Sequence, residues 1–466
     1  MSGLFGIVSN KDCVETLFYG IDYQSHLGTQ RAGMTVLGRK LCRAIHNIST
    51  SQFKSKFIEE LSKMSGKAGI GVISDFNPQP IIISSQFGDF AIVTTGLLRN
   101  RKKFVSEILR KGGSFSEMSA GEINSTEIVG KIIASKKNIE EGINYFFAGL
   151  KGSISLLILS KEGIYAARDI MGRTTLAIGK KAGERAIASE TCAFPNLGFQ
   201  IERQLLPGEI VLVKKDSLKR LGKVNGEGKT CSFLWIYTGY PASTYDGVSV
   251  EVVRERCGAN LARADKKEGL KADFVTGVPD SGVAHGLGYA QEYKIPYRRS
   301  IVKYTPGYGR SYTPPSQKIR DQVAKMKLIP ISEVVKGQRI VICDDSIVRG
   351  TQLKNQVIEK LWQFKAKEIH VRIACPPLLF ACPYLLSTRT NKELAARRSI
   401  LNNIDRKKID IGRLLEEEDA YYQKMVEGIR KELNVTSLKY QTLKDMVEAI
   451  GLPKGKLCLY CWNGKN

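Results

Sequence analysis

Apolar and polar positions follow two different rhythms along the chain. In the first half, short apolar runs recur at residues 70–73, 90–94, 153–159, 164–167 and 210–213. Each has the length and composition of a strand. Between them, residues 126–133 and 139–150 read as helical stretches. Strands and helices do not alternate strictly, which predicts an α+β arrangement for residues 1–225. The first strand is predicted over residues 3–8.

The rhythm changes after residues 214–230, a stretch rich in Lys, Gly and polar side chains. The domain boundary is placed there, giving units 1–225 and 226–466. In the second unit an apolar strand at 274–278 runs into Pro279-Asp280-Ser281-Gly282, and Val283, Leu287 and Ala290 then recur at helical spacing. A second strand, 340–343, leads through a polar loop to a helix carrying Leu353, Val357 and Leu361. A third strand falls at 369–374. Strand, loop and helix in alternation predict a parallel sheet with helices on both faces. Ligands of such sheets bind at the carboxyl ends of the strands.

Composition narrows the partners. With 42% hydrophobic and 25% charged residues among 466, a packed core is expected and wholesale disorder is not. No run reaches the roughly 18 apolar residues of a membrane helix, and the first ten residues lack a signal-peptide layout. A soluble, cytoplasmic protein with no membrane partner is expected. Lys and Arg total 71 against 46 Asp and Glu, a formal charge of +25. That suits an anionic partner. The basic residues are scattered, and the runs at 99–103 and 214–220 contain no aromatics, so nucleic acid is not the expected partner. Of ten cysteines, only Cys458 and Cys461 form a C-x-x-C pair. In a cytosolic chain they read as thiols or metal ligands rather than disulfides.

The chemistry concentrates in residues 341–351, V-I-C-D-D-S-I-V-R-G-T. An apolar strand delivers Asp344 and Asp345 onto a loop. Adjacent carboxylates there can hold vicinal hydroxyls or Mg²⁺. Ser346, Arg349, Gly350 and Thr351 then supply hydroxyls, a cation and backbone N–H groups at a helix start, an anion cradle. A sugar carrying a diol and a phosphate satisfies both parts.

This run resembles the phosphoribosyl pyrophosphate (PRPP) motif of type I phosphoribosyltransferases, and its S-I-V-R-G-T continuation resembles the glutamine PRPP amidotransferases, or amidophosphoribosyltransferases. The resemblance extends along nearly the whole chain, through Val278-Pro279-Asp280-Ser281, Gly309-Arg310-Ser311-Tyr312, Pro315-Ser316-Gln317, Pro207-Gly208-Glu209-Ile210 and Ala166-Ala167-Arg168-Asp169. It implies a class II glutamine amidotransferase domain of the N-terminal nucleophile hydrolase type, an αββα sandwich, followed by a type I phosphoribosyltransferase domain. The implied activity joins nitrogen from glutamine or ammonia to PRPP, giving 5-phosphoribosylamine, glutamate and pyrophosphate, the opening step of purine synthesis.

The resemblance also implies roles. Asp344 and Asp345 would bind the ribose hydroxyls and, with Ser281, the Mg²⁺ region. Ser346, Arg349, Gly350 and Thr351 would hold the 5′-phosphate. Lys303, Tyr308 and Arg310 would meet PRPP from a closing loop. Cys231, Cys382, Cys458 and Cys461 would carry a [4Fe–4S] cluster, with a Cys₄ zinc site as the rival; the other six cysteines read as buried apolar filler. Purine nucleotides are implied as feedback inhibitors and a homo-oligomer, dimer or tetramer, as the assembly.

The first domain departs from its family. The nucleophile position holds Ser2 instead of Cys, either by nature or by an engineered exchange, and a hydroxyl is far less ionised than a thiol near neutral pH. His26-Leu27-Gly28 stands for H-R-G, Gly71-Val72-Ile73-Ser74 for G-H-V-R, and Thr94-Thr95-Gly96-Leu97 for H-N-G-N. Ser125 stands for an Asp. The glutaminase half is therefore expected to be impaired. Two other readings stay open: an ammonia-only transferase with a silent glutaminase, and a PRPP-binding regulator.

Overall fold

The computed structural model describes residues 2–465 except 76, 120, 223, 225, 305–326, 386–387, 389 and 404–411. In the first half, apolar central strands with both faces buried, flanked by more exposed edge strands, stack as two antiparallel sheets. One contains β1 (Ser2–Ser9), β2 (Arg31–Leu37), β3 (Leu41–Asn47) and β4 (Ala68–Ser74). The other begins with β5 (Ile81–Ile83) and β6 (Phe90–Leu98) and continues with β7 (Gly152–Ser160) and β8 (Gly163–Arg168). The chain returns to the first sheet through β9 (Ala177–Lys181), β10 (Glu184–Ala188) and β11 (Gln200–Gln204), then to the second through β12 (Ile210–Val213) and β13 (Leu218–Leu221). Strand orders are β11-β9-β10-β1-β4-β2-β3 and β13-β12-β8-β7-β6-β5.

Alternation along the strands explains the layers. Leu4, Ile70 and Val72 of one sheet meet Ala91, Val93, Leu157 and Leu159 of the other in a shared core. Phe5 and Ile7 turn the opposite way, onto α1 (Val14–Asp22). Ile92, Leu156 and Ile158 pack under α2 (Arg101–Arg110), α3 (Ser125–Ala134) and α4 (Ile139–Gly149). This is the expected αββα sandwich. Residues 218–221, read from composition as part of the boundary stretch, are an edge strand paired with β12. Their charged Lys219 and Arg220 are exposed, as suits a sheet edge.

In the second half β14 (Phe274–Gly277), β15 (Arg339–Asp344), β16 (Glu368–Ile373) and β17 (Ser437–Tyr440) form a parallel sheet in chain order. Val341 and Cys343 face α5 (Val250–Lys267) and α6 (Val283–Tyr293), while Ile340 and Ile342 face the core that includes Leu353, Val357 and Leu361. Both faces are covered, as the continuous apolar strands predict. The stripe on α6 is not the expected one. Leu287 is exposed, and the helix buries Ala284, His285, Gly288 and Tyr289 instead. The reason is a close crossing with α5: a Cβ on Gly288 would lie 1.9 Å from the Glu255 carbonyl oxygen, and one on Gly258 1.8 Å from that of His285. Among the described residues no helix is long and apolar enough to cross a membrane.

Candidate active site

β15 ends at Asp344, so the strand itself sets the two carboxylates at the sheet's carboxyl edge. Both Asp344 and Asp345 are buried. Asp344 Oδ1 accepts from the Asp345 N–H at 2.9 Å and the Ser281 hydroxyl at 3.1 Å, and Asp345 Oδ2 accepts from the Ser346 hydroxyl at 2.5 Å. Ser281 arrives from the turn after β14, which the Val278 N–H ties to the Cys343 carbonyl at 2.9 Å. A Cβ on Gly282 would lie 2.2 Å from that carbonyl oxygen, so glycine permits the approach. Burial, then the Asp345 charge, pushes Asp344 well above the usual carboxylate range, and burial raises Asp345. Two carboxyls held this way favour a hard cation or hydroxyl donors.

Beyond Ser346 the chain turns through Gly350, at φ 78°, into helix from Thr351. A helix start offers unpaired N–H groups to a phosphate. Lys303 reaches the neighbouring turn, its Nζ 2.5 Å from Asp280 Oδ2. Arg349 is turned to Glu393, with Nη2 2.5 Å from Oε2. Tyr308 and Arg310 lie outside the described residues.

Two residues near the pair escaped the sequence reading. Arg254, on the buried face of α5, donates to the carbonyls of Trp235, Tyr237 and Gly239 at 2.9, 2.9 and 2.8 Å. It thereby fixes the turn over Leu234–Thr238. Desolvation, then the Asp345 and Asp344 charges, raises the Tyr237 hydroxyl, although its side chain is exposed. The only sequence signal was a lone Arg within an apolar helix face.

The second cluster surrounds Ser2. Ser2 is buried and pairs with Ser74 across β1 and β4. Its hydroxyl donates to Ser74 Oγ at 3.0 Å, and its N–H to Thr95 Oγ1 at 3.3 Å. The Thr95 hydroxyl donates to the Ser2 carbonyl at 2.6 Å. A threonine hydroxyl has one proton, so that donor is committed to the chain's own backbone. Buried Leu27 stands beside Gly3: a Cβ there would lie 3.0 Å from Leu27 Cδ1. The fold thus gathers four of the residues that depart from the resemblance, Ser2, Leu27, Ser74 and Thr95. Ser125 begins α3, where Thr126 Oγ1 lies 2.7 Å from Thr94 Oγ1. His26 points away to buried Glu190, 2.9 Å from its Oε2. Burial would raise Glu190, yet His26 and the other donors outweigh it and hold the carboxyl below its ordinary value.

The third cluster is built of thiols. No disulfide forms among the ten cysteines. Short strands Thr230–Cys231 and Leu457–Cys458 run parallel with Cys231 opposite Cys458. The Cys461 and Cys382 thiols are hydrogen-bonded, and both lie close to Cys231. The Leu385 N–H donates to Cys382 Sγ at 3.3 Å. All four predicted cysteines therefore meet, three of them buried and Cys458 half-buried. They are neighbours without being a compact single-ion shell: among the described residues no three His, Cys, Asp or Glu are grouped for one metal ion. Of the other six, five are buried as expected; Cys42 is exposed on β3.

Residues 69–196 match the model of a glutamine amidotransferase domain. An amidophosphoribosyltransferase from Methanocaldococcus jannaschii is 32% identical over all of this chain and 97% of its own length. The chain belongs to the amidophosphoribosyltransferase family. A second amidophosphoribosyltransferase, from Bacillus subtilis, is 30% identical over 99% of the chain and 93% of its own length. The solved glutamine PRPP amidotransferase of B. subtilis, complexed with ADP and GMP, superposes with a TM-score of 0.85 at 30% identity, covering 99% of this chain and 96% of that one. A structure described as the allosteric regulatory enzyme of purine biosynthesis gives a TM-score of 0.84 at 29% identity, covering 99% and 95%. The two-part fold expected from an amidophosphoribosyltransferase is the fold observed.

Proposed function

We propose that the chain makes 5-phosphoribosylamine from PRPP, as the amidophosphoribosyltransferases are named for, and that ammonia rather than glutamine is its effective nitrogen donor. The observation that carries the first part is the buried Asp344–Asp345 pair at the carboxyl end of β15, braced by Ser281 and Ser346. The phosphoribosyl chemistry would occupy residues 226–466 and the amidotransferase-like fold residues 1–225.

In this reading the Asp344 and Asp345 carboxylates accept the ribose hydroxyls. Ser346, Gly350 and Thr351 bind the 5′-phosphate with hydroxyls and helix-start N–H groups. Arg349 joins them only by leaving Glu393, and Lys303 meets the pyrophosphate by leaving Asp280. Tyr308 and Arg310 complete the grip. Ammonia attacks C1, the C1–O bond to pyrophosphate breaks with its electron pair on the leaving oxygen, and the nitrogen then loses a proton. Asp344, Asp345 and Ser281 offer the oxygen donors that Mg²⁺ prefers; when bound, it neutralises charge on the departing pyrophosphate.

The second part rests on Ser2 and its neighbours. An alcohol replaces the thiol, Leu27 and Ser74 provide no cation for an amino-acid carboxylate, and Thr95 already donates to the Ser2 carbonyl. A single engineered exchange at residue 2 does not account for the other three.

The four cysteines fit a [4Fe–4S] cluster, in which each thiolate binds a different iron. A Cys₄ zinc site would use the same four thiols. Cys231, Cys382, Cys458 and Cys461 would hold the cluster, whose role here is structural. The ADP and GMP bound by the B. subtilis enzyme support purine nucleotides as inhibitors of this chain; a cytoplasmic homo-oligomer completes the reading. The test is Asp345→Ala: PRPP turnover should fall at least about 100-fold with ammonium while the fold survives, the scale of losing preorganised charge stabilisation. Near-normal turnover would sink the assignment.

A further inference from the structure

Arg173 belongs to the first half of the chain but sits against the cysteines of the second. It is 1% exposed. Its carbonyl accepts the Cys231 N–H at 3.1 Å, anchoring its backbone to the first thiol. Its guanidinium carbon lies 3.6 Å from the centre of the Tyr384 ring, two residues past Cys382. The same ring meets Tyr460, next to Cys461, edge to face at 5.4 Å. Arg173 is thus tied to the segments that carry Cys231 and Cys382, and through the Tyr384 ring to the one that carries Cys461. A guanidinium held between these segments brings a fixed positive charge to the site. A four-iron cluster with four thiolates carries net negative charge, and adding an electron makes it more negative.

We infer that Arg173 is the charge-balancing residue of the four-cysteine site, helping to retain a cluster and raising its reduction potential. The inference rests on the cluster reading above. Nearby charge and hydrogen bonding set the potentials of such centres, and outer groups of this kind change metal affinity by about 10–100-fold. The arrangement also makes the amidotransferase-like half part of the cluster's environment.

The full chain, purified anaerobically and reconstituted with iron and sulfide, should hold about four iron per chain. Arg173→Gln should lose iron to a chelator about 10–100-fold faster than the parent, and its midpoint potential in a dithionite titration followed by electron paramagnetic resonance should be more negative. Arg173→Lys, which keeps the charge, should stay nearer the parent. If Arg173→Gln does not fold, Tyr384→Leu decides: releasing the guanidinium from its ring should move the potential in the same direction. Unchanged iron loss and potential in a folded Arg173→Gln, or an unchanged potential in Tyr384→Leu, would overturn the role of Arg173 alone. A parent chain that takes up no iron would overturn the cluster reading together with it.

Discussion

In the proposed reading the difference between sulfur and oxygen at Ser2 sets its reactivity, and its neighbours set whether that difference can be repaired. The departures at Leu27, Ser74 and Thr95 were legible in the sequence as separate mismatches. That Ser2 bonds both Ser74 and Thr95 was not, because β4 reaches β1 by long-range strand pairing and β6 comes from the facing sheet. Nor could a sequence show that the Thr95 proton is held by the Ser2 carbonyl. Ser2→Cys is therefore expected to leave glutamine-dependent turnover at least about 100-fold below ammonium-dependent turnover, the scale of losing an oxyanion donor. The measurement is phosphoribosylamine formation with each donor; restoration by this one exchange would show the remaining pocket to be intact.

Among the elements, α6 illustrates what periodicity misses. Its spacing marked Leu287 as an inward residue, yet a glycine crossing with α5 turns that face outward and His285 inward. Small residues give weak hydropathy signals, so the crossing could not be read. β17 was missed for a similar reason: residues 437–440 carry only a short alternating pattern. Most of the long apolar strands, by contrast, were found within one or two residues, although the one read at 90–94 runs on to Leu98. His285 Nδ1 lies 3.0 Å from the Arg254 carbonyl. Burial, then the Arg254 charge, lowers its pKa from 6.5 to about 3. Between these values the unfolded chain binds a proton that the folded chain does not. This group therefore costs stability as pH falls below 6.5 toward 3, by about 1.4 kcal/mol per unit. Urea unfolding at successive pH values should show that component in the parent and not in His285→Asn. Equal slopes would refute it.

Across the whole molecule, the halves are joined by buried polar groups instead of a bare linker. The fully buried Arg168 donates to Asp246 at 2.8 and 3.1 Å and to Thr230 at 2.8 Å. Glu190 accepts from the Tyr240 N–H at 3.1 Å and the Ser243 hydroxyl at 2.9 Å. Removing one partner of a buried pair costs about 3–5 kcal/mol; Asp246 is partly exposed, so about 3 is expected for Arg168→Met, read as a lowered denaturation midpoint. An unchanged midpoint would show that these contacts do not hold the halves together. The joint ties the amidotransferase-like half to the half that carries Asp344 and Asp345.

The most direct measurement is PRPP consumption by the chain as written, run in parallel with ammonium and with glutamine, following pyrophosphate and glutamate together. The account predicts pyrophosphate release with ammonium, at least about 100-fold less with glutamine, and no glutamate above background. Comparable rates with both donors, with glutamate formed one for one with pyrophosphate, would contradict it.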